Sequence, residues 1–270
     1  MTAFFHSLSS VEWRQFTYAT FINKPRSEFV MRYLPVSTRL RSLSFALVLL
    51  LAAAVPSAFA ASPMVVDDAD IVGAGQCQAE TWLQRWSGYS EFWVMPACNV
   101  GGKTELSLGG VRASSRARSS HAVSFQAKTL LRPLATNSWG VALTAGVIEG
   151  LNNDLRGRGW YAELPFTHSF SDDRFLLHAS AGWERDPAGQ SEFSWGAGSE
   201  FNLYGPNWLL AEVYDSQDGD TAFQIGFKRE LISDRFELGL TFGDTLQGPN
   251  NRHVAISLLL VGDSIFGSSR

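Results

Sequence analysis

The chain has 270 residues, 45% hydrophobic and 18% charged, with 22 basic and 26 acidic side chains. Residues 1–60 hold six of the bases and two of the acids, so the chain beyond Ala60 carries a net charge of −8. Such an acidic chain offers no electrostatic footprint for nucleic acid, and its length fits one domain.

Residues 1–30 show neither a sustained period nor helix-cap signals. They read as a start-site extension or an unstructured leader, with translation expected to begin at Met31. From there Arg32, Arg39 and Arg41 precede the apolar run Phe45 to Val55, and Pro56-Ser57-Ala58-Phe59-Ala60 places small residues at the third-last and last positions before Ala61. That is the pattern of a secretory signal peptide over 31–60, cleaved after Ala60, with an apolar run too short to span a bilayer as a helix. Residues 61–75 are polar and Gly-bearing and are expected to form a periplasmic lead-in.

Beyond residue 75 the pattern changes to strict two-residue alternation. Gln76 to Trp86 sets Gln76, Gln78, Glu80 and Gln84 against Cys77, Ala79, Thr81 and Leu83. Glu91 to Cys98 is ambiguous in its facing, because Phe92, Trp93, Val94 and Met95 are all apolar. Lys103 to Arg112, His121 to Leu131 and Trp139 to Glu149 alternate again. The clearest stretch follows. Trp160, Ala162, Leu164, Phe166, His168 and Phe170 share one face, then Phe175, Leu177, Ala179, Ala181 and Trp183, then Phe193, Trp195, Ala197, Ser199, Phe201 and Leu203. Trp208 to Asp215, Thr221 to Lys228, Phe236 to Phe242 and His253 to Leu260 continue the series.

Twelve segments of about ten residues, apolar on one face and small, polar or acidic on the other, predict an all-β, antiparallel transmembrane β-barrel over 76–261, with 262–270 as a C-terminal tail. Aromatics near segment ends suit the membrane interfaces. Bacterial barrels of this kind place the protein in the outer membrane of a Gram-negative cell, in contact with its lipid, with periplasmic termini and the longer loops outside. Pro96 and Pro165 fall inside strands, where each removes a ladder donor, and either bulges or different strand boundaries are expected there.

The inward faces supply the candidate lumen-lining residues Glu80, Glu105, Lys128, Glu163, His178, Ser180, Glu200, Glu212, Lys228 and Glu237. Rings of Glu favour cations in a pore. Equally, acids and bases in a twelve-stranded barrel can pack into a closed plug, since lumens open into channels at about 16 strands. His178 and Ser180 form a His-x-Ser pair on one strand face, which barrel lipid hydrolases resemble, although those hold the pair towards lipid. His121 and His253 are single, so no metal site is argued and no cofactor is called for.

Cys77 and Cys98 are the only cysteines. If Ser87-Gly88 centres the first hairpin, opposed positions sum to 175, which sets Cys77 directly across from Cys98. An opposed antiparallel pair lies within disulfide range, and an exported chain meets an oxidising compartment.

The run from Val66 to Glu80, with its acidic pair Asp67-Asp68, the Gly73-Ala74-Gly75 turn and Gln78-x-Glu80 on the first strand, resembles the opening of outer-membrane barrels grouped with the meta-pathway of phenol degradation. The resemblance covers about fifteen residues. Cys77 and the C-terminus, which runs on to Arg270 rather than ending on an aromatic, depart from the pattern. It implies a porin-like barrel that admits small, often aromatic, compounds. The leading expectation is a channel or uptake protein for small solutes. A closed structural or ligand-binding barrel comes second and a hydrolase using His178 and Ser180 third.

Overall fold

The computed structural model describes residues 64–116, 118–152, 157–186, 189–215, 221–246 and 251–263. The signal peptide, the leader and residues 264–270 of the expected tail lie outside the described residues. Twelve strands run in chain order: β1 (Gln76–Trp86), β2 (Tyr89–Asn99), β3 (Thr104–Ser115), β4 (Ser119–Arg132), β5 (Trp139–Gly150), β6 (Gly157–Phe170), β7 (Phe175–Arg185), β8 (Ser191–Tyr204), β9 (Asn207–Asp215), β10 (Thr221–Ile232), β11 (Phe236–Thr245) and β12 (His253–Asp263). Each pairs antiparallel with its sequence neighbours, and β1 closes on β12. No edge is left unpaired, which is how a sheet can sit in hydrocarbon. Among the described residues no helix is long and apolar enough to cross a membrane, which leaves crossing by strands open.

Alternation decides which side chains face out. On β7 Leu177 is 41% exposed while its neighbour His178 is 2% exposed. Leu83, Phe125, Leu143, Leu164, Trp195, Ile225 and Ile256 are exposed in the same way on other strands. An apolar belt on this scale is a liability in water and a match for a bilayer.

The strands are longer than the apolar pattern. β3 runs to Ser115 and β4 starts at Ser119, so most of the polar stretch Ala113 to Ser120, which separates the alternating segments Lys103 to Arg112 and His121 to Leu131, is paired. Backbone pairing continues past the apolar belt, where water takes over and alternation in hydropathy stops.

The bulges expected at Pro96 and Pro165 are not there. Pro96 faces Ala79 in unbroken register, and on its β3 side the pairs Val94↔Gly110 and Ala97↔Ser107 keep one register across the gap. Pro165 behaves likewise, facing Ser180 on β7 while β5 pairs on either side of it. Each proline loses its bond towards one neighbour only, and two missing rungs do not shift a ladder held on both flanks. The register shifts fall instead at Leu130/Arg132, Asn202/Tyr204 and Glu230/Ile232, all near the end of the barrel that carries the chain termini.

Cys77 and Cys98 are opposed and joined by a disulfide, with Cα atoms 4.0 Å apart. Neighbouring Gln78 and Ala97 point into the barrel, so the disulfide lies on its outer face near the termini end. The lumen is packed. Towards the far end Trp93, Val111, Ala122, Ile148 and Tyr161 form a buried apolar cluster, with Trp82 stacked on Trp93 at 5.3 Å. Tyr161 lies over Gly146, where an added Cβ would come within 2.4 Å of the ring, so only glycine permits that packing.

Candidate functional site: the lumen and the segment inside it

The part of the lead-in that is described, residues 64–75, lies inside the barrel. Val65, Val66, Ala69 and Val72 are buried. This backbone forms no ladder of its own, and a buried N–H must find a partner. The wall supplies them. The Val72 N–H donates to Glu105 Oε2 at 3.1 Å, and Asn99 Nδ2 donates to the Val72 carbonyl at 2.8 Å. The Ala69 N–H donates to Thr167 Oγ1 at 2.9 Å. At the deep end the Val65 and Val66 N–H groups both donate to the Glu212 carboxylate, each at 2.9 Å. The segment thus crosses from β2 and β3 to β9.

Two observations show that the wall is shaped for it. A Cβ on Gly196 would meet Val66 Cγ2 at 2.5 Å, and one on Gly198 would meet Met64 Cε at 2.7 Å. Val65 and Val66 also pack with Tyr214 and Ala222 in a second buried apolar cluster. Charge fixes the middle. Lys128 Nζ, 6% exposed in its side chain, donates to Asp67 at 2.9 Å and Asp68 at 3.1 Å, while Thr144 Oγ1 donates to Asp67 at 3.2 Å. Desolvation in the lumen pushes the Asp67 carboxyl above its ordinary value, against the pull of Lys128. Desolvation pushes Asp68 the same way but is outweighed by Lys128 and His178, which hold it below.

All ten candidate lining residues lie on inward faces. Glu105, Lys128, His178, Ser180, Glu200, Glu212 and Lys228 are buried, and Glu80, Glu163 and Glu237 half-buried. They do not form a ring around a pore. Glu105 and Glu212 accept from the inserted segment. Lys228 binds Glu200 at 2.5 Å and reaches Glu237 at 3.4 Å. His178 Nδ1 and Thr167 Oγ1 are hydrogen-bonded at 2.9 Å, across the β6–β7 pair, and His178 Nε2 is 3.8 Å from Glu200. Its ring is bonded to Thr167 rather than Ser180 and lies on the lumen side of the wall, away from lipid.

Sequence reasoning missed Asn99, Thr144 and Thr167 as partners, and missed the inserted segment itself. A signal was available: Val65, Val66, Ala69 and Val72 are apolar points in a polar lead-in, and Gly196-x-Gly198 strips two inward positions of side chains. Between the segment and β1, β11 and β12 lies a cavity of about 480 Å³ that reaches the β10–β11 turn at Asp234 and Arg235. Among the described residues no group of three or more His, Cys, Asp or Glu is placed to hold a metal.

No curated protein matches this chain. Solved structures share its fold. The COG4313 outer membrane channel from Pseudomonas putida F1 aligns at TM-score 0.56 and 10% identity, over 74% of this chain and all of that one. The KdgM porin in complex with disordered oligogalacturonate aligns at 0.55 and 7%, over 68% of this chain and 98% of that one. The NanC porin aligns at 0.50 and 8%, over 69% and 99%. At such identities the likeness is one of fold. Membership comes from a family model: matching residues 47–260, it shows that this chain belongs to the family described as uncharacterised conserved protein UCP029691.

Proposed function

We propose that the protein is an outer-membrane channel for small solutes, with periplasmic termini, whose lumen is held closed by residues 64–75. The observation that carries this reading is how the closing element is attached. Among the described residues, only Gly75 at its base bonds the wall backbone to backbone, at the Asn99 carbonyl, and from Val65 to Val72 the contacts run through wall side chains, at Glu105, Asn99, Thr167, Lys128 and Glu212. The segment can therefore leave without opening the barrel. The likeness in fold to porins and channels supports the same reading. That the solutes are aromatic rests on the resemblance of Val66 to Glu80 alone.

The test is single-channel conductance of refolded protein in planar bilayers. The full chain beyond Ala60 should be silent or open rarely, and protein lacking residues 64–72 should give steady steps. Silence from both favours the second reading, a closed binding barrel, for which the apolar cluster of Trp93, Val111, Ala122, Ile148 and Tyr161 across the lumen is the specific observation.

A further inference from the structure

At the end of the barrel opposite the chain termini, β1 to β4 carry a basic patch on their outer face. Gln84 and Trp86 are buried in the lumen, so Arg85 between them points outward. The same alternation turns Arg112 outward beside buried Val111. Arg116 and Arg118 are exposed in the turn that joins β3 to β4. No carboxylate shares this face: Glu91, the acid at this end of β1 to β4, is 3% exposed and turned into the lumen. Two other arginines at this end are neutralised in place, Arg158 by Glu149 at 2.9 Å and Arg252 by Asp244 at 3.0 Å. Arg85, Arg112 and Arg116 hold no carboxylate among the described residues. In a chain whose net charge beyond Ala60 is −8, this is a local excess of the opposite sign.

Ladder register sets these charges beside hydroxyls and above hydrocarbon. Arg85 faces Ser90 on β2, Ser90 faces Ser114 on β3, and Ser114 faces Ser119 on β4. In the next outward row towards the membrane, Leu83, Phe92, Arg112 and His121 are opposed in turn. Two residues on from Arg112 is Gly110, where an added Cβ would meet nothing within 4 Å. Exposed Val94 and Val123 flank that gap. The surface thus has a rim of arginine and serine and a shallow apolar notch under it. Arg85 and Arg112 stand two strands apart, about 10 Å, a gap that two long side chains can close on one phosphate or span between two. The guanidinium fork pairs with phosphate oxygens through two parallel hydrogen bonds, while its stem packs along apolar surface. Clustered bases where a protein leaves the bilayer are the chemistry that holds an anionic lipid headgroup. Free phosphate would use the rim alone, whereas a lipid occupies both parts.

We infer that this face binds a phosphorylated glycolipid of the outer leaflet, with Arg85, Arg112 and Arg116 holding its phosphates, the serine row its sugar hydroxyls and the Gly110 notch an acyl chain. The inference takes from the proposed function only its orientation, with termini in the periplasm, and needs no open lumen.

The test is native mass spectrometry of the folded chain beyond Ala60 in detergent, titrated with diphosphoryl lipid A. Dephosphorylated lipid A and inorganic phosphate are the controls. A saturable one-to-one complex with the diphosphoryl form is expected, at least tenfold weaker with the dephosphorylated form, and no retained inorganic phosphate. The double variant Arg85→Gln, Arg112→Gln should weaken the complex at least tenfold. Arg174→Gln, Arg229→Gln removes the same charge from exposed positions at the termini end and should leave it unchanged. Gly110→Leu fills the notch without touching the arginines and should weaken it several-fold, which keeps a second probe should the first variant misfold. Heat-modifiable gel mobility checks the folding of each. Equal binding of the dephosphorylated form, equal loss in the two arginine pairs, or inorganic phosphate bound as tightly as lipid A overturns the assignment. Silence of the segment-deleted protein in planar bilayers, with lipid A still bound, overturns the channel instead and leaves this surface standing.

Discussion

Lys128 on β4 and Asp67 in the inserted segment meet at 2.9 Å, joining the barrel wall to the element that fills its lumen. The ammonium is almost wholly buried and also reaches Asp68 at 3.1 Å. Removing one partner of a buried pair leaves the other charge uncompensated, at a cost of about 3–5 kcal/mol. Lys128→Met should fall on the segment rather than the ladder, because Lys128 keeps its backbone pairing with Glu105 and Thr144. The expected outcome is a barrel that still folds but opens more often in planar bilayers. Unchanged open probability means that the ion pair does not hold the segment.

A charge on the apolar belt tests the facing of the strands. Ala181→Arg sits at the middle of β7 on the lipid side and should cost about 2–4 kcal/mol, read as a shift of the urea midpoint in liposomes. A charge on the lumen side is no mild counterpart, since Ser180 is 8% exposed and faces Pro165 across the sheet. Ser180→Ala is the proper control: it removes one hydroxyl that hydrogen-bonds Glu163 and should shift the midpoint by about 1 kcal/mol, less than the charge on the lipid face.

The barrel was legible because alternation is a property of neighbours along the chain. Strand count and the facing of β6, β7 and β8 follow from two-residue periods, and the opposition of Cys77 and Cys98 follows from one hairpin centre. What the lumen contains is set by residues far apart. Glu212 and Val65 are 147 positions apart, and Lys128 and Asp67 are 61 apart. No local pattern reports that Glu105 and Glu212 are acceptors for an inserted backbone rather than members of a charged ring. The prolines misled for a related reason: a lost donor predicts a local defect, but the closed barrel holds the register from both flanks.

The disulfide gives an independent measure of the first hairpin. It closes a loop of 21 residues, for which chain entropy gives about 3 kcal/mol. Alkylation of unreduced protein should label no cysteine in the mass spectrum. The Cys77→Ser, Cys98→Ser double variant should fold into the same barrel with a lower unfolding midpoint. Since β1 both closes the barrel on β12 and follows the inserted segment, the loss should appear in the whole barrel's transition rather than as an early local one.

The deepest contact of the segment lies against β8, where Gly196 and Gly198 leave space that Val66 and Met64 occupy. Neither glycine has a positive φ. A side chain there is thus compatible with the strand's backbone; at Gly198 its severest conflict is with Met64 at 2.7 Å, while Glu212 Cβ on β9 need give only a few tenths of an ångström from 3.3 Å. Gly198→Val places two methyl groups where Met64 now packs, and β-branched residues favour strands. The variant should keep the barrel fold, with the same heat-modifiable mobility, while the segment loses its seat and the Glu212 carboxylate loses the Val65 and Val66 N–H groups. Limited proteolysis then separates the outcomes. Cleavage within residues 64–75, slow in the parent protein, should become fast in Gly198→Val while the barrel remains intact. If the segment stays protected, it is held by Lys128 and Glu105 alone and the glycine pair is dispensable. If the barrel unfolds instead, the segment is part of the folding core and cannot act as a removable closure.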